Sequence, residues 1–438
     1  MGQTAAWYDP PPPLRIAPAR RFHGRFTLPG DKSISHRAAV LGAMAKGETR
    51  ISRFSTALDC AATLRCLSSL GVELRRQGDQ VVIHGRGTQG LAAPAQVLDA
   101  GNSGSTVRML AGVLAGRPFR SVLDGDASLR RRPMERVAEP LRAMGAGVAT
   151  TGGGTPVTID GGPLRAVRWD MPVASAQVKT AVLLAGLQAQ GTTLVREPAR
   201  SRDHTERMLP LFGADVRQEG LEVSVEGGQA LRGTAVRVPG DVSSAAFLVV
   251  AALVCPDSEV RIDEVLLNPG RTAFLDVLRA MGASLETGIA REETEPVGWI
   301  RAASSTLRGT TIGADAVPAL IDELPVLAVA ATRAEGALTV TGATELRTKE
   351  SDRIAALCGE LRRMGADVEE RPDGFVVRGG RPLKGAAVRA HGDHRIAMAL
   401  AVAALAAAEG ETEIEDAECA DVSFPGFYDV LRRGAGLA

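Results

Sequence analysis

Aromatic side chains make up only 3% of the 438 residues, and acidic and basic residues cancel at 51 each. So few aromatics leave no stacking platform for single-stranded bases, and zero net charge gives no basic field for nucleic acid or an anionic membrane. The five cysteines, Cys60, Cys66, Cys255, Cys358 and Cys419, form no Cys-x-x-Cys pair and are odd in number. That speaks against a disulfide framework and against a zinc site, and the expected compartment is a reducing cytoplasm. The longest apolar run, Ala397 to Ala408, is too short to cross a bilayer. Met1 to Arg21 lacks the charged start and apolar stretch of a secretory leader and carries the run Pro10 to Pro13, so residues 1–21 are expected to form a disordered tail.

What the chain does have is a repeat. A helix-ending signature recurs about every 70 residues: Leu67-Ser-Ser-Leu-Gly71, Leu141-Arg-Ala-Met-Gly145, Leu209-Pro-Leu-Phe-Gly213, Leu278-Arg-Ala-Met-Gly282, Leu361-Arg-Arg-Met-Gly365 and, weakly, Leu431-Arg-Arg-Gly434. Each reads as the last turn of an amphipathic helix closed by a glycine cap, and the residues after it alternate like a hairpin. Upstream of each lies a polar turn running into a helix of small residues. The turns are Pro29-Gly-Asp-Lys32, Gly101-Asn-Ser-Gly104, Ala174-Ser-Ala-Gln177, Pro239-Gly-Asp241, Ile321-Asp-Glu323 and His391-Gly-Asp-His-Arg395. The expected fold is α/β, with six βαβαββ units, three per domain. Stretches such as Ala245 to Val254, apolar on every side, belong in an interior as buried parallel helices. One domain is expected to combine residues 22–28 with 239–438 and the other to span 29–238. The chain would cross between them near 25–29 and 237–240, which makes a hinge.

The polar turns are where chemistry is expected. A helix N-terminus has unpaired N–H groups and a partial positive charge, and so binds anions. Cations gather at these turns or at the start of each unit's second helix: Lys32, Arg37, Arg132, Lys179, Arg202, Lys349, Arg353 and Arg395. Only five of the 51 cations are lysines, and three of those five fall in this set. A lysine kept where arginine is the default suggests a compact ammonium that can also give up a proton. Taken singly, each motif also has a plain structural reading. Asp31-Lys-Ser-Ile-Ser can be a capped helix start, Arg130-Arg-Arg-Pro a solvated charge run, Asp322-Glu323 first-turn acids, and Lys349 to Arg353 a surface network. His36, His204, His391 and His394 show no metal-binding spacing. What favours a site is that the motifs share one phase of the repeat.

Leu28-Pro-Gly-Asp-Lys-Ser-Ile-Ser-His-Arg37, Gly101-Asn-Ser-Gly-Ser105, Gly125 to Pro133, Ala174 to Lys179, Ser201 to Glu206, Ile321 to Pro325, Arg347-Thr-Lys-Glu-Ser-Asp-Arg353 and Gly392 to Ile396 together resemble the 5-enolpyruvylshikimate-3-phosphate synthase family from about Pro29 to Pro425. The resemblance implies a two-domain inside-out α/β barrel. It implies transfer of the enolpyruvyl group of phosphoenolpyruvate to the 5-hydroxyl of shikimate 3-phosphate, releasing phosphate, on the route to chorismate and aromatic amino acids. No metal or organic cofactor is implied, and a monomer is expected.

Carried over by motif, the resemblance implies that Lys32, Ser33, Arg37, Ser175, Gln177, Arg202, Asp322 and Lys349 hold shikimate 3-phosphate. Lys32, Asn102, Gly104, Arg132, Gln177, Arg353 and Arg395 would hold phosphoenolpyruvate. Asp322, Glu350 and Lys32 would be catalytic: Glu350 as proton donor to the methylene, Asp322 as base toward the hydroxyl, Lys32 on the leaving phosphate. Some family members carry a lysine in a Lys-Thr-Phe-Pro segment near the C-terminus, where this chain has Val422-Ser-Phe-Pro425. Two other functions fit parts of the pattern. A transferase acting on UDP-N-acetylglucosamine typically bears a loop cysteine and a Lys-Asn pair, whereas here the early pair is Lys32-Ser33. A non-catalytic anion-binding protein would need the cations but neither Asp322 nor Glu350.

Overall fold

The computed structural model describes residues 12–437. Its repeating element is a small sheet with one order of strands. In the second unit, strand Leu98–Asp99 leads into the buried helix Gly104–Ala115; strand Arg120–Asp124, the helix Glu135–Ala143 and a hairpin of Gly147–Thr151 with Gly154–Asp160 follow. The first strand lies parallel to the second, which pairs antiparallel with the last. The third unit, 168–226, and the fifth, 308–378, repeat this order. All five strong signature glycines take positive φ, between 81° and 107°, as their helix-ending position requires.

The first and fourth units exchange their opening strands. Strand His23–Thr27 runs into the helix Lys32–Met44 but pairs with Glu259–Leu266 of the fourth unit. Strand Ala235–Arg237 runs into the helix Val242–Val254 but pairs with Lys46–Ser52 of the first. The two connections meet side by side: the Asp31 amide donates to the Pro239 carbonyl at 2.7 Å, and the Asp241 amide to the Pro29 carbonyl at 3.0 Å. Gly30 admits no side chain there, because a Cβ would lie 1.8 Å from the Arg53 carbonyl oxygen.

The sixth unit departs from the expected pattern. After strands Ala387–Arg389 and Thr412–Glu415 it has no hairpin of its own, and strand Leu14–Ile16 pairs antiparallel with Thr412–Glu415 instead. Residues 14–21 are therefore not a disordered tail. Ile16 and Phe22 are buried, and the Ala19 amide donates to the Leu405 carbonyl. A sheet edge left open by the missing hairpin is closed by chain from the other terminus; of the rest of the expected tail, Pro12 and Pro13 are exposed and in no helix or strand, and residues 1–11 lie outside the described residues. Gly434 is also not a cap. It sits inside the helix Phe427–Ala435, where a Cβ would lie 2.4 Å from the Phe22 ring, and the left-handed cap falls at Gly436.

The small-residue helices form the interior. Val242–Val254 and His394–Leu405 are buried along their whole length, and with Leu324–Thr332 they pack as a trio. Gly104–Ala115 packs against both Lys32–Met44 and Ala176–Gly186. Sheets and amphipathic helices cover them. Among the described residues, no helix is long and apolar enough to cross a membrane.

Candidate active site

All six buried helices send their N-terminal residues to one cleft. Lys32 and Ser33, Gly104 and Ser105, Ser175 to Gln177, Asp241, Ile321 and Asp322, and His394 and Arg395 line it. The local sequence explains the ends. Side-chain oxygens of Asp31, Ser103, Ser175, Asp241 and Asp393 accept hydrogen bonds from backbone N–H groups in the first turns of their helices. The sixth helix, Leu324–Thr332, has no such cap, and Pro325 near its start removes one N–H that would need a partner.

Of the residues singled out by motif, Lys32, Ser33, Gly104, Arg132, Ser175, Gln177, Arg202, Asp322, Lys349, Glu350, Arg353 and Arg395 line this cleft. Acid and base meet across it: Arg202 reaches Asp322 at 2.6 Å, and Arg132 reaches Glu350 at 3.3 Å. Arg353 contacts Glu350 at 2.6 Å, Asp393 at 2.8 Å and Asp322 at 3.5 Å. Lys32 pairs with Asp59 at 2.8 Å.

Three expected members stand back from the lining. Arg37 is buried behind it, donating to Thr205 and Thr180 hydroxyls at 2.8 and 2.9 Å and to the Ser33 carbonyl. As Lys32 opens the helix, a residue five positions on lies more than a turn deeper, so Arg37 braces the wall. Asn102 accepts from Arg132 through both its backbone and its side-chain oxygen, and so aims that guanidinium. Lys179, also counted among the turn cations, is held between Glu197 and Glu206 at 2.7 and 2.6 Å in the interior. Its compact ammonium bridges two carboxylates.

The cleft also holds residues that motif reading passed over: Asp59, Arg108, Arg136, Arg271 and Glu345. Arg108 donates to the Gln177 amide oxygen at 2.5 Å, and Arg136 reaches Glu345 at 3.2 Å. Asp59 and Glu345 carried no signal of their own. Arg108 and Arg136 lie on helices one turn beyond or just after quoted motifs, so the 3.6-residue period was a usable clue.

The fields in the cleft are strong. Burial pulls the Asp322 carboxyl upward, but Arg202, Arg395, Lys349 and Arg353 outweigh it and hold the group well below the usual carboxylate range. Glu350 is held down in the same way, chiefly by Arg353 and Arg132 against the effect of burial. Glu323, next to Asp322, is pushed up by burial and by its neighbour's charge. Burial favours a neutral Lys32, but Asp59 wins and keeps the ammonium charged. Burial and the charges of Arg136 and Arg132 bring Arg108 down to about 9.

A family model described as EPSP synthase (3-phosphoshikimate 1-carboxyvinyltransferase) matches residues 16–431. The chain belongs to the EPSP synthase family. Curated relatives named 3-phosphoshikimate 1-carboxyvinyltransferase include that of Geobacillus kaustophilus, 52% identical over 94% of this chain and 97% of the relative. Another, from Brevibacillus brevis, is 50% identical over 95% of this chain and 99% of the relative. A solved EPSP synthase from Acinetobacter baumannii has a TM-score of 0.85 at 44% identity, covering 96% of this chain and 97% of that one. The enolpyruvyl transferase NikO from Streptomyces tendae shares the fold, with a TM-score of 0.80 at 19% identity over 96% of this chain and 97% of that one. In this EPSP synthase family member, Val422-Ser-Phe-Pro425 does not line the cleft, whereas Arg108, Arg136, Arg200 and Arg271 do.

Proposed function

We infer that the chain transfers the enolpyruvyl group of phosphoenolpyruvate to the 5-hydroxyl of shikimate 3-phosphate and releases phosphate. The observation that carries this reading is one cleft in which six helix N-termini, several arginines and carboxylates that include Asp322 and Glu350 converge. Both substrates are multiply anionic, and two unit charges about 7 Å apart at an effective dielectric of about 20 repel by roughly 2 kcal/mol. A neutral protein overcomes several such pairs only by concentrating cations where the substrates meet. A bare anion-binding protein has no use for two carboxylates set among those cations. The early pair Lys32-Ser33, and the curated relatives' name, favour the shikimate acceptor over UDP-N-acetylglucosamine.

In this reading Lys32, Ser33, Ser175, Gln177, Arg202, Asp322 and Lys349 hold shikimate 3-phosphate, with Arg37 bracing Ser33. Lys32, Gly104, Arg132, Gln177, Arg353 and Arg395 hold phosphoenolpyruvate, with Asn102 orienting Arg132. Glu350 gives a proton to the vinyl methylene while the 5-hydroxyl oxygen bonds to the adjacent carbon and Asp322 takes its proton. Glu350, now a carboxylate, then takes a proton back from the methyl group as the carbon–oxygen bond to phosphate breaks, and Lys32 stabilises the departing phosphate. In the free site Glu350 is ionised and has no proton to give. Anionic substrate on Arg132 and Arg353 offsets the charges that depress it, so binding itself raises its proton affinity.

The residues that would act together come from both sides of the paired connections at Pro29–Asp31 and Pro239–Asp241. We therefore read residues 22–28 with 239–438, and residues 29–238, as two domains of an inside-out α/β barrel; residues 25–27 and 237, expected in the hinge, are instead paired strand residues, and the hinge is narrowed to 28–31 and 238–241. The deciding experiment is phosphate release with the two proposed substrates. Steady release with shikimate 3-phosphate and none with UDP-N-acetylglucosamine is expected, and the reverse pattern would reassign the acceptor. X-ray scattering should show compaction on adding shikimate 3-phosphate; an unchanged radius would contradict closure.

A further inference from the structure

Arg271 lies in the turn after strand Glu259–Leu266, in the half of the chain opposite Lys32, yet its buried guanidinium reaches both halves. One nitrogen donates to Asp31 at 2.9 Å and lies 3.1 Å from the His204 Nε2. The other donates to the Ser243 hydroxyl at 2.9 Å and to Asp241 at 3.4 Å. Asp31 and Asp241 are equivalent: each follows a Pro-Gly pair, each caps a buried helix, and each belongs to one of the two crossing connections. The same turn makes a second bridge, since the Asn268 amide donates to Asp203 at 2.7 Å and to Glu295 at 2.8 Å.

From this clamp two short paths lead to the cleft. Asp31 is followed directly by Lys32. Ser243 donates to Glu323 at 2.5 Å, and Glu323 is preceded directly by Asp322. We propose that Arg271 is a positioning residue that sets the register of the two halves, and with it the placement of Lys32 against Asp322. It does so by joining two acidic caps that would otherwise repel in the interior, and bidentate arginine is suited to that fork in a way a single ammonium is not. The inference rests on the enolpyruvyl-transfer reading.

Turnover, with shikimate 3-phosphate binding measured alongside it, tests the role. Arg271→Gln is expected to lower kcat about 100-fold, the loss that a misplacement of roughly 1 Å produces, while affinity for shikimate 3-phosphate alone changes far less. Arg271→Lys, which keeps the charge, should recover part of kcat. Because Arg271→Gln leaves a buried acidic pair and can fail to fold, Arg271→Gln with Asp241→Asn is compared with Asp241→Asn alone. A kcat about 100-fold lower in the double variant supports positioning; equal kcat values mean that Arg271 only neutralises charge, and overturn it. If the wild-type protein releases no phosphate from these substrates, the proposed reaction fails but the clamp is still read by X-ray scattering. A larger radius of gyration in the double variant than in Asp241→Asn supports the clamp, and identical profiles overturn it.

Discussion

The three helix ends from residues 29–238 differ in kind from the three supplied by the rest of the chain. Two of the first three are capped by neutral serines, Ser103 and Ser175, and present Gly104, Ser105 and Gln177 to the cleft. In the other half every end carries acid: Asp241, the pair Asp322-Glu323, and Asp393. Those acids are clamped by Arg271, Arg202 and Arg353. A carboxylate at a helix N-terminus cancels the local positive field, whereas a serine cap leaves most of it for a ligand. The helix ends of one half therefore leave their positive field open to a ligand, while those of the other half hold carboxylates against arginines. Neither does the chemistry alone.

The largest test of that contrast is at Asp322. Asp322→Ala should lower phosphate release by about 10²–10⁴-fold, the usual range for a lost acid–base group, while calorimetry still detects shikimate 3-phosphate. Near-normal turnover would remove the ionisable half from the mechanism. Next comes Arg132, from the receiving half. Arg132→Ala deletes a charge-assisted contact and should raise the KM for phosphoenolpyruvate by about 10- to 100-fold, the equivalent of roughly 1.5–3 kcal/mol, with a smaller change in kcat.

A third test concerns pH. Burial, with the charges of Lys32 and Arg37, pushes His36 from 6.5 down to about 3. Its neutral ring, hydrogen-bonded to Thr63 at 2.7 Å, is therefore favoured by the fold. The unfolded chain takes up the proton first, so stability is full above about pH 6.5 and falls as pH drops toward 3, by up to about 1.4 kcal/mol per pH unit. Burial also holds the His394 ring neutral, so urea unfolding from pH 7 to 4 should show at least that slope, and His36→Gln should reduce it by His36's share and leave the rest. The smallest effect is expected for Ser175→Ala, which removes a neutral cap and should cost about 1 kcal/mol of stability. It should also weaken shikimate 3-phosphate binding several-fold, and unchanged binding would erase the distinction between the two sets of helix ends.

Much of the fold was legible because the signals are local and repeated. Gly71, Gly145, Gly213, Gly282 and Gly365 each close a helix, since only glycine takes positive φ there without cost. Gly434 misled because it obeys a different demand, close approach to Phe22, which is a contact between chain ends. Residues 14–16 were missed for a related reason: three residues after a proline run carry no strand signal, and only an open sheet edge elsewhere gives them a partner. Lys179 and Arg37 share the phase of the motif but not its direction, and a few positions along a helix separate cleft from interior.

The sequence by itself determined the repeated unit, the five glycine stops at 71, 145, 213, 282 and 365, and which residue types stand at each polar turn, because capping, periodicity and turn chemistry act over a few neighbours. Only the tertiary structure decided which of those side chains face one another: the exchange of strands 23–27 and 235–237, the strand lent by the N-terminus, and the acids that pair with each arginine. Most of those are contacts between residues that no local signal links, and burial and charge set their strength only once the chain has brought them within a few ångströms.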